Sequence, residues 1–377
     1  MSKFKFVEKT NKTTDEELAK IFENPGFGDY MSDHMAHIHY EFDESKATDP
    51  HNIETTSKTG EWSNYEIIPY GPISLEPAAA VFHYGQEIFE GLKAYKHDDG
   101  SIYTFRPELN AKRFQKSAHR LGLPDLSVED FIDSIKEAVT IDKRWVQSGR
   151  GKALYIRPFM IASEPFLGVR PSKSIDYYCI LSPVGDYFGT AKAVTIWIEK
   201  EYFRAGPGGT GAAKCGGNYA ASLLPQTLAA EHGCSQVLYL NARDQKNIEE
   251  LGGMSFVCVY KDGRVVTPNL NGNILDSVTR RTVLEVCREW GYDVQERELS
   301  LEELIEGIKS GEISEAFACG TAAVVAPIGE FKSDDFEVTL DYGDKEEGEL
   351  TTKLRDEIVG IQKGHRPDTR GWLYKIC

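Results

Sequence analysis

The chain has 377 residues, 41% hydrophobic and 27% charged, with 43 Lys and Arg against 59 Asp and Glu and a formal net charge of −16. A chain this long has room for about two domains whose cores need no metal or disulfide staple, and its acidity argues against nucleic acid or an anionic membrane as partner. The seven cysteines form no CxxC pair, which speaks against a zinc ribbon or a redox dithiol; with a polar start, MSKFKFVEKTNKTTDEE, and no apolar run of about 18 residues, a cytoplasmic location with reduced thiols is expected.

In chain order, the first sixty residues are polar and carry His34, His37, His39 and His51. The run HMAHIH resembles a metal-binding spacing, but no cysteine or carboxylate of matching spacing accompanies it, so no metal is assigned. Residues 53–75 read as short strands with turns. A helix is expected over 108–121, with Leu109, Phe114, Ala118 and Leu121 on one face. Ser127 with Asp130 forms a capping box for a second helix, whose apolar side is Phe131, Ile132, Ile135 and Val139. The runs ALYIRPFMIA from Ala153 and DYYCILSPV from Asp176 read as strands. GDYFG at 185–189 marks a break between domains. The second half opens on the strand AVTIWIE, then a glycine-rich stretch, a helix over 219–231, and the strands QVLYL, MSFVCVY and RVVT. A helix over 277–290 uses Val278, Val283, Val286, Cys287 and Trp290 as its apolar side. Ser300 and Glu303 form a further capping box, and AFACGTAAVVAP from Ala316 reads as one more strand. Strands and helices mix without strict alternation, so the fold class is α+β rather than a doubly wound sheet.

The glycine-rich stretch, GGTGAAKCGGNY at 208–219, holds one lysine among small residues. Small residues let a flat ligand approach the backbone, and an apolar setting favours the neutral, nucleophilic amine of Lys214. The plain alternative is a lysine on an exposed loop. Four other features accompany it: Glu250 in NIEELGGM, Arg113 in FRPELNAKR, the helix start in LDSVTR with its unpaired amides, and the small-residue turn ACGTA with Thr321. Each has an ordinary surface or turn reading when taken singly. Together they supply an amine, a carboxylate, an arginine and two anion-binding turns, a set that fits pyridoxal phosphate.

The same residues carry a resemblance. HYGQEIFEGLKAY, FRPELNAKRF, LYIRPFMIASEPFLGV, SPVGDYF, GAAKCGGNYAAS, EELGGM and FACGTAAVV occur in the order found in branched-chain amino-acid aminotransferases of fold type IV. The likeness extends from about Gly26 to near the C-terminus. It implies a small N-terminal domain (1–185), a connection (186–191) and a larger, mixed barrel-like α/β domain (192–377), with pyridoxal 5'-phosphate between the domains. It also implies that Lys214 bonds the cofactor as a Schiff base and shuttles a proton. Tyr219 faces the phenolic oxygen and Glu250 the ring nitrogen, while Arg113, Val278, Thr279 and Thr321 hold the phosphate. Tyr84, Phe89, Tyr155 and Tyr187 line an apolar substrate pocket with Arg157 at its edge, and Gly253 and Ala322 meet the substrate carboxylate. Some members carry Thr where this chain has Gly253, and some a CxxC pair where it has Ala323 and Ala326, so thiol-based redox control is not expected.

The activity implied is transfer of the amino group of L-leucine, L-isoleucine or L-valine to 2-oxoglutarate in two half-reactions. The partners implied are small amino acids and 2-oxo acids, and the assembly a homodimer. D-amino-acid aminotransferases and aminodeoxychorismate lyases would share Lys214, Glu250 and Arg113, but not the combination of HYGQEIFEG, LYIRP and GTAAVV. A phosphate-loop kinase would need GK[ST], which the glycine stretch lacks. A carrier that binds pyridoxal phosphate without turnover would not react with leucine.

Overall fold

The β-branched and aromatic runs of this chain become strands, and among the described residues these collect into two nine-stranded sheets. The structure is a computed structural model that describes residues 2–46, 59–149, 151–185 and 193–377. Two compact units divide it. One comprises Met1–Tyr187, Ala213–Gly216 and Ile361–Cys377, the other Phe188–Ala212 and Gly217–Gly360. Tyr187, His51 and the connection expected at 186–191 lie outside the described residues.

In the first unit the sheet runs Lys5–Phe6, Gly60–Pro69, His34–Phe42, Ser174–Val184, Ala153–Ala162, Leu92–Lys96, Ile102–Phe105, Leu373–Lys375, with Glu87–Phe89 also paired to Ala153–Ala162. Only the first pair is parallel. The helices Pro107–Arg120 and Val128–Ile141 are packed onto it. The Phe114 ring lies 5.3 Å from that of Phe131 and 5.8 Å from that of Tyr177, and the Tyr177 hydroxyl meets Ser134 Oγ at 2.7 Å.

The helix Val128–Ile141 buries Phe131, Ile132, Ile135 and Val139, as its periodicity predicts. The helix Pro107–Arg120 departs from the expected face. Leu109 and Leu121 are only partly covered, whereas Asn110, Arg113 and Ser117 are buried beside Phe114 and Ala118. Those polar side chains are inside because each has a specific partner, described below.

The second sheet runs Ile248–Leu251, Gln236–Leu240, Val194–Glu199, Val324–Lys332, Ile313–Gly320, Ser255–Tyr260, Arg264–Thr267, Asp293–Glu296, with Glu337–Thr339 on Val324–Lys332. It mixes parallel and antiparallel pairs. Its core joins Ile196, Leu238, Leu251, Phe256, Ala318 and Phe331. Neither sheet is built from strict βαβ repeats, in keeping with the α+β expectation.

Two expected elements are divided. AFACGTAAVVAP is the tail of one strand, a turn at 321–323, and the head of the next, with Gly320 opposite Val324. Uniformly small apolar residues hide that turn from a periodicity argument. The helix expected over 219–231 is two, Gly216–Ala220 and Leu223–Glu231. Between them Ser222 turns its N–H (3.0 Å) and its hydroxyl (2.8 Å) onto the Tyr219 carbonyl, a local bond that competes with helix continuation.

Both expected capping boxes are half formed. Ser127 Oγ accepts from Asp130 N–H and Ser300 Oγ from Glu303 N–H. The acidic side chains are drawn to tertiary partners: Asp130 to Lys3 and the Tyr65 hydroxyl, Glu303 to Arg297 and the Tyr260 hydroxyl. A reciprocal box occurs at Thr14 and Glu17. The histidines also take carboxylate partners. His34 Nδ1 lies 2.7 Å from Asp142, and His37 and His39 converge on Asp176 Oδ1 at 2.8 and 2.9 Å. Among the described residues no group of three His, Cys, Asp or Glu is placed to hold a metal.

Candidate active site

The lysine of the glycine stretch is anchored by its backbone. Its neighbours Ala213 and Cys215 are 4% and 2% exposed and belong to the core of the first unit. Lys214 N–H donates to Ser117 Oγ at 2.9 Å, and its carbonyl accepts from Phe89 N–H at 3.0 Å. Two residues on, Gly216 N–H donates to Glu87 Oε1. The side chain is half-buried, with Nζ 4.8 Å from the centre of the Phe89 ring. Burial, partly offset by the Gly216 N–H, pushes the Glu87 carboxyl above its ordinary range.

Glu90, in the FEG of the same motif, is completely buried. Arg113 clamps it from the helix Pro107–Arg120 through Nε at 2.7 Å and Nη2 at 2.8 Å, and Asn110 Nδ2 adds 2.8 Å. Burial alone would raise this carboxyl; the Arg113 guanidinium overrides that and holds it below the usual range. The Glu90 carbonyl accepts from Arg157 Nε at 3.0 Å. Arg157 Nη2 donates to the Tyr155 hydroxyl at 2.8 Å, and its guanidinium lies 4.7 Å from the Phe89 ring centre. A Cβ at Gly91 would collide with the Tyr155 hydroxyl, so glycine is needed there for the tyrosine to sit so close. Tyr84 donates to the Leu167 carbonyl and is partly exposed. The first unit thus brings Phe89, Tyr155, Arg157 and Lys214 together, with Arg113 one residue removed through Glu90.

In the second unit, Glu249 and Glu250 occupy successive positions of the strand Ile248–Leu251, whose side chains alternate between faces. Glu249 Oε1 accepts from Asn241, Asn271 and Asn273 amides at 3.0, 3.2 and 2.7 Å. Glu250 Oε1 accepts from Arg204 Nη2 at 2.6 Å and Leu275 N–H at 3.0 Å. Leu275 lies just ahead of the helix Val278–Glu289, which Ser277 caps by accepting from Arg280 N–H at 3.2 Å. The first-turn amides of Val278 and Thr279 have no intrahelical acceptor. Ser255 pairs with Cys319, and a Cβ built on Gly320 would lie 3.6 Å from the Gly253 carbonyl oxygen. Tyr219 lies in the short helix Gly216–Ala220, and its carbonyl ends that helix as described. Gly253 thus lies beside Gly320, which precedes Thr321 and Ala322 in the turn at 321–323, and Leu275 N–H ties Glu250 to the segment before the helix that starts at Val278.

Sequence reading missed the partners these groups meet: Glu90, Ser117, Glu87 and Arg204. Two of the four stand inside quoted motifs, Glu87 and Glu90 in QEIFEG. The one sequence signal was the placing of these two glutamates around Ile88 and Phe89, in a motif where charge and apolar residues alternate closely. The first unit carries a lysine amine and an arginine, and the second a buried carboxylate, a phenol and a capped helix N-terminus, each a kind of group that pyridoxal phosphate chemistry uses. Cys319, next to the GTA turn, is buried and its thiol is pushed up to about 12, which leaves it unreactive. Among the described residues no helix is long and apolar enough to cross a membrane.

The amino-transferase class IV family model matches residues 87–331. The chain is 48% identical to the branched-chain-amino-acid aminotransferase of Mycolicibacterium smegmatis, over 97% of this chain and 96% of that one. Among solved structures it superposes on the branched-chain amino acid aminotransferase of Escherichia coli with a TM-score of 0.71 at 26% identity, covering 83% of this chain and 97% of that one. The T.th. branched-chain amino acid aminotransferase, solved with pyridoxamine 5'-phosphate, gives 0.70 at 25% identity, covering 82% and 96%. This chain belongs to the class IV aminotransferases, in the branched-chain-amino-acid aminotransferase family.

Proposed function

We propose that this enzyme uses pyridoxal 5'-phosphate to move the amino group of L-leucine, L-isoleucine or L-valine to 2-oxoglutarate. The observation that carries the reading is the anchoring of Lys214: a buried, doubly hydrogen-bonded backbone presenting an amine beside an aromatic ring. A surface lysine on a loose glycine loop needs no such anchoring. The activity for which the relatives are named supports it, as does the pyridoxamine 5'-phosphate with which one structural neighbour was solved.

When bound, the cofactor supplies an aldehyde that takes up the amino group and a ring that withdraws the electrons left when the substrate α-proton departs. The chain supplies the rest. Lys214 Nζ would hold the cofactor at rest, then take the proton from the α-carbon of the amino-acid substrate and, in the second half-reaction, deliver one to the α-carbon of the 2-oxo acid. Glu250 sets a negative charge at the ring nitrogen, and Tyr219 donates to the phenolic oxygen. Arg113, Thr321 and the amides of Val278 and Thr279 hold the phosphate. An arginine has five donors, so the clamp on Glu90 is compatible with a second anionic partner. Phe89, Tyr155 and Tyr84 give an apolar wall for branched side chains. Such a wall separates substrates one methylene apart by only about 1–3 kcal/mol, so all three are accepted. Arg157, held by the Glu90 carbonyl and Tyr155, takes the second carboxylate of glutamate. The amides at Gly253 and Ala322 receive the α-carboxylate. We also propose a homodimeric, cytoplasmic enzyme, with a small domain up to residue 185 and a larger one from 192.

The test is turnover of L-leucine with 2-oxoglutarate by purified protein and by Lys214→Ala. Turnover lost in the variant supports the reading; substantial turnover retained in it contradicts it.

A further inference from the structure

Arg204, the ion-pair partner of Glu250, is 7% exposed and deeply tied in. Its Nη2 reaches Glu250 Oε1 at 2.6 Å, Gly211 O at 3.4 Å and the Asn273 carbonyl. Three segments meet at that one nitrogen: the Glu250 strand, the loop ahead of the helix Val278–Glu289, and the glycine stretch. The contact requires glycine at 211, because a Cβ there would collide with the Asn273 backbone. Asn273 is itself held by Glu249, through Nδ2 at 2.7 Å. The adjacent glutamates are thus linked in a ring of contacts, from Glu249 through Asn273 and Arg204 to Glu250. Arg204 Nε, Asn273 Oδ1 and Glu249 Oε2 are buried without a hydrogen-bond partner, so the network carries a desolvation cost.

We infer that Arg204 is a positioning residue for Glu250: it fixes Glu250 Oε1 and offsets its buried charge, so that the carboxylate meets the cofactor ring nitrogen in one orientation. This rests on the proposed function. The physical ground is that a buried charge keeps its ionised form only with a close counter-charge, and that a carboxylate with one oxygen pinned by both Arg204 and Leu275 N–H has little rotational freedom. Arg204 touches neither substrate nor cofactor in this role.

The test compares wild type, Arg204→Met and Arg204→Lys in three readouts: affinity of the apoprotein for pyridoxal 5'-phosphate, the pH titration of the visible band of the loaded protein, and kcat against KM for L-leucine. In Arg204→Met the account expects cofactor affinity about tenfold weaker or worse, a displaced band titration, and kcat about a hundredfold lower with little change in KM, the cost of a misplaced group. Arg204→Lys, which restores charge without the fork, recovers part of each. A variant that folds with a lower melting temperature but unchanged cofactor affinity, band titration and kcat overturns the proposal, since packing alone would give that pattern. If Arg204→Met does not fold, Arg204→Lys decides: unchanged affinity and titration overturn the proposal, and a shift in both supports it. A wild type that binds no pyridoxal 5'-phosphate overturns the functional reading as well; a wild type that binds it and turns over, with silent variants, overturns only the role of Arg204.

Discussion

Glu249 and Glu250 are neighbours in the chain and take opposite partners: three asparagine amides surround one, while Arg204 and the Leu275 amide hold the other. The alternation of a strand makes that division. The carboxylate proposed to face the cofactor ring nitrogen is the one paired with a guanidinium and tied to the segment before a helix N-terminus.

The first prediction separates the two. Glu250→Gln lowers turnover strongly while pyridoxal 5'-phosphate stays bound. Glu249→Leu strips three asparagine amides of their acceptor, of which that of Asn273 is buried, and costs stability, about 1–3 kcal/mol for the buried group left unsatisfied. Denaturant unfolding beside steady-state rates checks both. Unchanged turnover in Glu250→Gln would remove that residue from the mechanism.

A second prediction concerns Glu90 and Arg113. Glu90 has no solvent exposure, and two guanidinium hydrogen bonds offset its charge. Glu90→Gln leaves the Arg113 charge buried without its counter-ion and destabilises by about 3–5 kcal/mol. Glu90→Met with Arg113→Met together costs less than the sum of the two single changes, because neither charge is then stranded. Urea unfolding measures all of these; a change below about 1 kcal/mol in Glu90→Gln contradicts the account, since that is the scale of an exposed pair.

The fold was legible where residues answered to period and cap. The strand ALYIRPFMIA occupies Ala153–Ala162, and the helix opened by Ser127 buries the predicted four apolar residues. It was not legible where polar residues enter the core on behalf of a distant partner. Asn110, Arg113 and Ser117 read as a wet helix face, but Glu90 and the Lys214 amide are what they meet. Nor could spacing show that Asp130 and Glu303 would leave their caps for Lys3, Tyr65, Tyr260 and Arg297. At the site, Lys214 and Glu250 were visible as charges among small residues. Arg204 was not, because its meaning depends on Glu250, Gly211 and Asn273 arriving around it.

A third prediction is pH dependence of stability. His39 is raised above its ordinary pKa, first by its hydrogen bond to Asp176. Burial opposes ionisation of Asp176, but His37 and His39 outweigh it and hold the carboxyl below the usual range. A raised histidine adds stability that is complete below about pH 6.5 and lost as pH rises through its folded pKa; a depressed aspartate adds stability complete above about pH 3.9 and lost as pH falls. The pair therefore contributes most between those values. The gap in melting temperature between wild type and His39→Gln is expected to be wider at about pH 5.5 than at about pH 8.5. A gap independent of pH contradicts it.

A fourth prediction follows from the anchoring of the lysine. The bonds at Ser117, Phe89 and Gly216 use main-chain atoms of the 214–216 turn. Lys214→Ala keeps them all and should stay within about 0.5 kcal/mol of wild-type stability in the absence of cofactor, as a substitution clear of the core does. Glu87→Leu removes the acceptor of Gly216 N–H, so it should lower both stability and turnover. A fully active Glu87→Leu variant would show that the turn holds its shape without Glu87.

The most direct measurement is the absorption spectrum of the purified protein with pyridoxal 5'-phosphate, before and after L-leucine and then 2-oxoglutarate. The account predicts a visible band that is lost or shifted on L-leucine, restored by 2-oxoglutarate, and absent from Lys214→Ala in its wild-type form. A band that ignores L-leucine, or no band at all, would contradict the assignment of Lys214 and the transamination built on it.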